Sequence, residues 1–538
     1  MKSILTMPSG ERIRNADGRD VTEEVYGPIR KAWGEIGDPG SQEEIRKAGE
    51  TLTTAANLVA INLEAPAKNL YPVLTPIRNV LPRKTSGAGA GLAAQWREVS
   101  AINGNSALPG SPWLREGGRA ARMQLTTADR SASYVTIGLD TDVTFEAQSA
   151  AAGFEDEYAQ SGVRLLQQVM ILEEGALVGG NRDVALGTTA TPTLSASGSS
   201  ATLPAATYSV RVFALSYEGY ANYVAAGVSL AGGIFRQVTI TGVDNQTYTV
   251  NGGSSAAGAA ATQAVTLGQA LFCSIPAIAG AVAYAWYVGT AGNERLERVT
   301  TINSAAFTAP LAGTGQTLAG VANPGTDYSR NNGTGGNNAP AFNGLLYAAW
   351  NSPLAIKTTL ATGTAGTGTT LTASGRGTIV EIDNILRQMW DTYRISPDVI
   401  WVNAQEMINI AAKIYGGTAN GTLRYAVNLT PTGDIQAGIA GIQYINLLGN
   451  AANGSPTIPI KIHPNLPPGT MKFWCNSLPG QYQSANVPVV ASVDCRRDYY
   501  QIPWPQVTRR QETGVYAEEV LKVYAPFALS ILNNIANG

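Results

Sequence analysis

Residues 154–181, FEDEYAQSGVRLLQQVMILEEGALVGGN, form the longest uninterrupted helical pattern in a chain otherwise punctuated by glycine and alanine. Phe154, Tyr158, Leu165, Leu166, Val169, Met170, Leu172, Ala176 and Leu177 recur at helical spacing, while Arg164, Gln167, Glu173 and Glu174 are assigned to the opposite face. Gly153 and the acids Glu155, Asp156 and Glu157 suit the positive end of a helix dipole, and Gly179, Gly180 and Asn181, which tolerate positive φ, are expected to end it. Such a helix is roughly 36 to 40 Å long, more than a compact domain needs, and reads as a spine. On this pattern Leu166 is buried, so Leu166→Asp should unfold the subunit, and Glu174 is exposed, so Glu174→Ala should leave the fold intact. The acids Glu173 and Glu174 diverge by about 100° on a helix, which argues against paired-carboxylate chemistry and favours a solvated face or an ion pair between subunits.

A chain of 538 residues exceeds one core and implies roughly three to four folding units. Lys+Arg 37 against Asp+Glu 39 leaves a net charge of −2, which excludes a strong field for nucleic acid or acidic membranes. With 14% charged residues and 59 glycines, much of the surface is neutral and small, as suits assembly or display. Cys273, Cys475 and Cys495 are odd in number and far apart, so no disulfide framework is expected and a reducing compartment fits. The start MKSILTMPSGERIR has no apolar signal core, and the apolar run 272–288 is broken by Ser274, Pro276 and Gly280. That run is shorter than the ~20 residues a membrane span needs and reads as buried strands.

Taken in order, residues 1–70 read as an arm, with Ser41 and Glu44 forming a capping box for a helix to about Leu63. In 69–83, Pro72, Pro76 and Pro82 argue for an extended path that docks through Tyr71, Val73, Leu74, Ile77 and Leu81. Residues 84–133 read as a large hairpin with a glycine-rich entry at 87–91 and strands near 95–102 and 119–127. Its few apolar residues, among them Trp96, Trp113 and Leu114, imply that a neighbouring subunit orders it. A further strand, 134–145, leads back to the spine. At Gly187 the composition turns nearly charge-free, and strand-length pieces over 188–320 read as an inserted β-sandwich, with 323–338 as its exit linker. Beyond 342, Thr378 and Glu381 are expected to cap a helix, followed by strand VIWVN, a helix over 404–415, and strands GIQYINLLG and TIPIKIHP, an α+β pattern. Residues 492–535 are long Val-, Tyr- and Ile-rich strands that need a partner sheet.

This order resembles the major capsid protein of tailed double-stranded DNA bacteriophages, the Hong Kong 97 type of capsid fold. NLYPVLTPIRNVLPR looks like the segment entering that family's extended loop, residues 154–181 like its spine helix, IVEIDNILRQMWDTYRISPDVIWVN like its axial-domain helix and strand, and IPIKIHPNLPPGTMKFW like its late axial hairpin. ATYSVRVFALSYEGYANYV, with Tyr208, Val210, Val212 and Gly219, is similar to an immunoglobulin or fibronectin type III strand pair. The resemblance implies an α+β capsid fold: an N-terminal arm (1–70), extended loop and peripheral domain with the spine helix (71–187), an immunoglobulin-like insert on the outer surface (188–320), a linker (321–341), and the axial domain with returning peripheral strands (342–538). It implies a homo-oligomer of pentamers and hexamers in an icosahedral virion shell, assembled in the host bacterial cytoplasm around DNA whose sequence it does not read. Its further partners would be a separate scaffolding protein, a portal and a decoration protein, with no membrane.

No catalytic, cofactor or metal residues are expected. His463, between Ile462 and Pro464, reads as a surface or structural residue of a turn, and Cys475 and Cys495 lack zinc-ligand spacing. GAGAGLA, GTAGTGTT and GTGGNN do not continue into a phosphate loop. Arg496, Arg497, Arg509 and Arg510 split across two faces of strands and are assigned to salt bridges between subunits rather than to DNA. The insert alone also fits a surface-display or carbohydrate-binding adhesin, against which the missing signal peptide weighs; a hydrolase lacks its bases and nucleophile.

Overall fold

In the computed structural model the long helix runs over Glu157–Gly179, and the Asp156 carboxylate caps it by accepting from the Ala159 amide at 3.1 Å. The structure describes residues 74–86, 91–103, 113–119, 124–151, 156–334, 338–374, 378–416, 428–429, 435–436, 443–449, 456–480, 482–483 and 487–537. The arm and its expected helix lie outside them. The helix ends for a different reason than positive φ, since Gly180 has φ −54°. Its glycines are set by close packing: a Cβ on Gly179 would stand 2.1 Å from the Tyr217 ring, and one on Gly180 2.6 Å from the Phe342 carbonyl oxygen. Gly179→Ala is therefore expected to lower stability by about 1–3 kcal/mol through overpacking. Thermal unfolding of the full chain checks this, and an unchanged midpoint would mean that Tyr217 swings aside freely.

The helix crosses a four-stranded sheet in the order Arg83–Thr85, Ala491–Pro503, Arg510–Val523, Val135–Thr144. This is the partner sheet that the C-terminal strands required, assembled from both ends of the described chain. Leu165 and Val169 are the buried helix residues that meet Val515, with Leu166 half-buried beside them. Ahead of the sheet, Pro76–Val80 is a short helix where an extended path was expected; Pro76 sits at its first position, where a missing N–H breaks no helical bond.

Strands Ala93–Asn103 and Gln124–Ser133 pair antiparallel, among the described residues with each other alone; the first spans the expected 95–102 and the second is shifted from the expected 119–127. At the root of this ribbon Ala94 is buried and Trp96 meets Tyr524 edge-on, the centroids 6.2 Å apart. Farther out Arg97 and Asp129 pair in solvent, and Trp113 and Leu114 are 86% and 61% exposed. A two-stranded ribbon with so little of its own to bury is marginal without a surface to lie on.

Residues 193–307 contain two larger β-sheets beside a two-stranded pair, Gln237–Thr241 with Thr247–Asn251. Thr193–Ser197, Ala270–Ser274 and Ser304–Phe307 make one; Arg295–Thr300, Ala283–Gly289, Ala206–Leu215 and Ala261–Val265, in that order, make the other. Val210, Val212, Leu271 and Trp286 belong to one buried cluster; Phe213, Leu215 and Tyr287 alternate with these along the same strands and join Ile234 and Val321 in a second. Of the seven strands in these two sheets, the first, Thr193–Ser197, pairs with the fourth, Ala270–Ser274, whereas in the immunoglobulin order the first pairs with the second. Within the segment likened to a strand pair, the second half is the helix Tyr217–Ala225, capped by the Ser216 hydroxyl.

A six-stranded sheet carries the remaining chain, in the order Ile356–Thr359, Leu529–Asn533, Met471–Trp474, Val399–Val402, Thr457–Ile462, Gln443–Ile445. Every residue of its two central strands is buried, and helices Leu345–Asn351, Val380–Tyr393 and Ala404–Gly416 accompany it. The capping box expected at Thr378 does not form. Ile379 is the N-cap; Thr378 Oγ1 donates to Asp383 at 2.7 Å, and Glu381 accepts from the Thr372 amide at 2.9 Å.

Candidate functional site

The densest concentration of charge among the described residues lies under the C-terminal half of the long helix, where Glu173 and Glu174 are 1% and 0% exposed. Neither lies on a solvated face or pairs with another subunit. Their divergence on the helix sends them to different partners within the chain. Glu174 accepts from the amides of Ile77 at 2.9 Å and Arg78 at 2.7 Å, so its carboxylate satisfies the open N-terminus of the Pro76–Val80 helix. Its Oε1 also lies 2.6 Å from His463 Nε2. Because His463 Nδ1 accepts from the Asn465 amide at 3.1 Å, Nε2 carries the proton and donates to Glu174. His463 is thus fully buried and structural, not a surface residue of a turn.

Glu173 accepts from Arg78 Nε at 2.7 Å and also bonds Arg83 and the Tyr499 hydroxyl. Arg83 extends the network to Asp498 at 2.7 Å and Glu519 at 2.9 Å. Burial works against the Arg83 charge, but Asp498, Glu173 and Glu519 outweigh it and hold the guanidinium above its ordinary pKa. Burial, reinforced by the Glu173 charge, pushes the Glu519 carboxyl up to about 8. This cluster joins the short entry helix, the long helix, three strands of the four-stranded sheet and the turn after strand Thr457–Ile462. It is closed to substrate and works as a clamp between layers.

The other sites expected from sequence are also structural. Arg496 pairs with Glu518 at 2.6 Å, Arg509 with Glu146 at 2.5 Å and Arg510 with Asp142 at 2.9 Å, while Arg497 lies 3.7 Å over the Tyr500 ring. These contacts are within the chain, where bridges between subunits were expected, because register pairs strand Arg510–Val523 with Val135–Thr144 and so brings Asp142 into reach. Cys475 and Cys495 are buried free thiols, and burial raises the pKa of both. Among the described residues no group of His, Cys, Asp and Glu could hold a metal ion, and no helix is long and apolar enough to cross a membrane. A cavity of about 360 Å³ lies between the ribbon root and helix Leu345–Asn351, lined by Trp96, Ser131, Arg182, Asn343 and Asn351. These side chains include no nucleophile held by a base.

No family model and no curated protein matches the sequence. Solved structures do match. The capsid of Myoviridae phage XM1 aligns over 89% of this chain and 99% of its own, with 9% identity and a TM-score of 0.36. The cyanophage A-1(L) capsid aligns over 90% and 99%, with 11% identity and a TM-score of 0.39. The holo-SrpI encapsulin complex of Synechococcus elongatus PCC 7942 aligns over 90% and 95%, with 7% identity and a TM-score of 0.35. The chain is similar to capsid and encapsulin subunits.

Proposed function

We propose that this chain is the subunit of a closed icosahedral shell, the major capsid protein of a tailed bacteriophage. The observation that carries this reading is the ribbon Ala93–Asn103 with Gln124–Ser133, which among the described residues has no third strand and presents Trp113 and Leu114 to solvent. Such an element gains its stability by lying on another copy. The long helix clamped across a sheet of early and late strands, with a separate six-stranded α/β layer beyond it, supplies the rigid body that such a ribbon needs. The near-zero net charge suits a wall that encloses DNA without binding its sequence.

In this reading the chain works without catalysis or cofactor, in pentamers and hexamers, alongside a scaffolding protein, a portal and a decoration protein. It assembles in the host bacterial cytoplasm and ends in the virion. The β-rich residues 188–320 face outward as an inserted β unit between the peripheral part, 71–187, and the axial part, 342–538, and the arm 1–70 precedes them. Electron microscopy of the purified full chain, with a variant lacking residues 104–120 beside it, tests the proposal. Closed shells are expected from the wild type, and from the variant free capsomers with unchanged circular dichroism. Monomers of the wild type under all assembly conditions would instead favour a display protein.

A further inference from the structure

Glu519 is the member of the buried cluster whose surroundings least suit a charge. It is fully buried, its Oε2 accepts from Arg83 at 2.9 Å, and its Oε1 receives no donor. The groups around it come from every neighbouring element. The long helix contributes Glu173, the Arg83–Thr85 strand Arg83, and the entry helix Arg78, which is held on Glu173. The adjacent strand contributes Cys495, its register partner, with Asp498 and Tyr499. On the other flank its register partner is the uncharged Val135, and neighbouring Glu518 is engaged by Arg496.

Three carboxyls, Glu173, Asp498 and Glu519, therefore share two guanidiniums, Arg78 and Arg83. Ionised, Glu519 would bury an oxygen without a donor and set it against Glu173. A proton on Glu519 removes both faults: it cancels the charge set against Glu173 and turns an acceptor without a donor into a donor beside the Glu173 carboxylate.

We propose that Glu519 is a pH latch: as the neutral acid it bonds Glu173 and holds the long helix on the four-stranded sheet, and its ionisation at alkaline pH loosens that grip. The inference does not depend on the chain being a shell subunit. The sign follows from the raised pKa, which lies at about 8 in the fold against an ordinary 4.5. Below the ordinary value the contribution is complete. As pH rises toward about 8, the unfolded chain gives up this proton and the folded chain keeps it, so the latch loses about tenfold in equilibrium constant per pH unit.

The test compares the full chain with its Glu519→Gln variant, a neutral isostere. The infrared difference spectrum at pH 6 should show one carboxylic-acid carbonyl band present in the wild type and missing from the variant, and this band should bleach in the wild type by about pH 10. Hydrogen-exchange protection of residues 157–179, corrected for intrinsic rates, should fall between pH 5 and 8 by about tenfold per unit more in the wild type than in the variant. Lys472 and Glu218, which burial shifts to about 7, titrate in both proteins and cancel. Parallel profiles, or no acid band in the difference, overturn the proposal. So does a variant unfolded at pH 6, because the neutral form is the one said to fit the site.

Discussion

Glu174→Ala is expected to destabilise the chain severely, the reverse of what its place in the helical pattern suggests. The substitution strands the buried amide of Ile77, the half-buried amide of Arg78 and the His463 N–H at once. At about 1–3 kcal/mol for each unsatisfied buried donor, the loss is roughly 3–9 kcal/mol, comparable with the whole stability of an ordinary domain. Glu174→Gln keeps one acceptor but turns an NH2 group toward the remaining donors, so it should fall between wild type and alanine. Urea unfolding followed by circular dichroism measures all three. A shift for Glu174→Ala below about 0.5 kcal/mol, the range of ordinary surface substitutions, would return the residue to a solvated face.

The misreading of Glu174 shows what local sequence can and cannot carry. Periodicity placed the long helix within a few residues of its observed bounds, because spacing along one helix is a local property. It assigned charge to solvent by default, and the partners that overrule this, Arg78 and Arg83, lie 95 and 90 residues from Glu173. A clue was present: two adjacent acids stand between Leu172 and Leu177 with no base on the following turn, in a chain only 14% charged. The β character of 193–307 was legible for the same reason as the helix, since strand alternation is local. Its strand order was not, because pairing Thr193–Ser197 with Ala270–Ser274 is a long-range choice. The ribbon's existence was legible from its glycine-flanked alternation, but its register, with an irregularity between Val99 and Ala101, was not. Pro76 was read as a breaker although proline serves equally well as the first residue of a helix, and which role it takes depends on the remote carboxylate of Glu174.

The same blindness to remote partners affects the exit from the β-rich segment, where Arg236→Ala should cost roughly 4 kcal/mol or more. Arg236 is buried, with a relative exposure of 5%. It donates to the carbonyls of Ser254 at 3.3 Å, Ser255 at 2.6 Å, Ala322 at 3.2 Å, Asn323 at 2.9 Å and Thr326. The Phe213 and Tyr328 rings lie 5.1 and 4.8 Å from it. Residues 322–326, expected as the start of a flexible linker from their glycine and asparagine content, are thus fastened to the β-rich segment, chiefly by this cation and also by the Ala257 amide, which donates to the Pro324 carbonyl at 2.8 Å. Arg236→Lys retains the charge, but three donors on one nitrogen cannot reach five carbonyls in a fixed fork, so it should recover about half of the loss. Hydrogen exchange over 321–334 should accelerate strongly in Arg236→Ala while the long helix keeps its protection; unchanged exchange there would show that other contacts hold the stretch. A fragment ending at 320 would leave Arg236 with Ser254 and Ser255 alone, and would also lose Asn331, which accepts from the Asn251 amide at 2.8 Å and donates to Glu218 at 2.9 Å. A fragment over 186–334 is therefore expected to melt higher than one over 188–320, and equal melting of the two would remove Arg236 as the fastening of this exit.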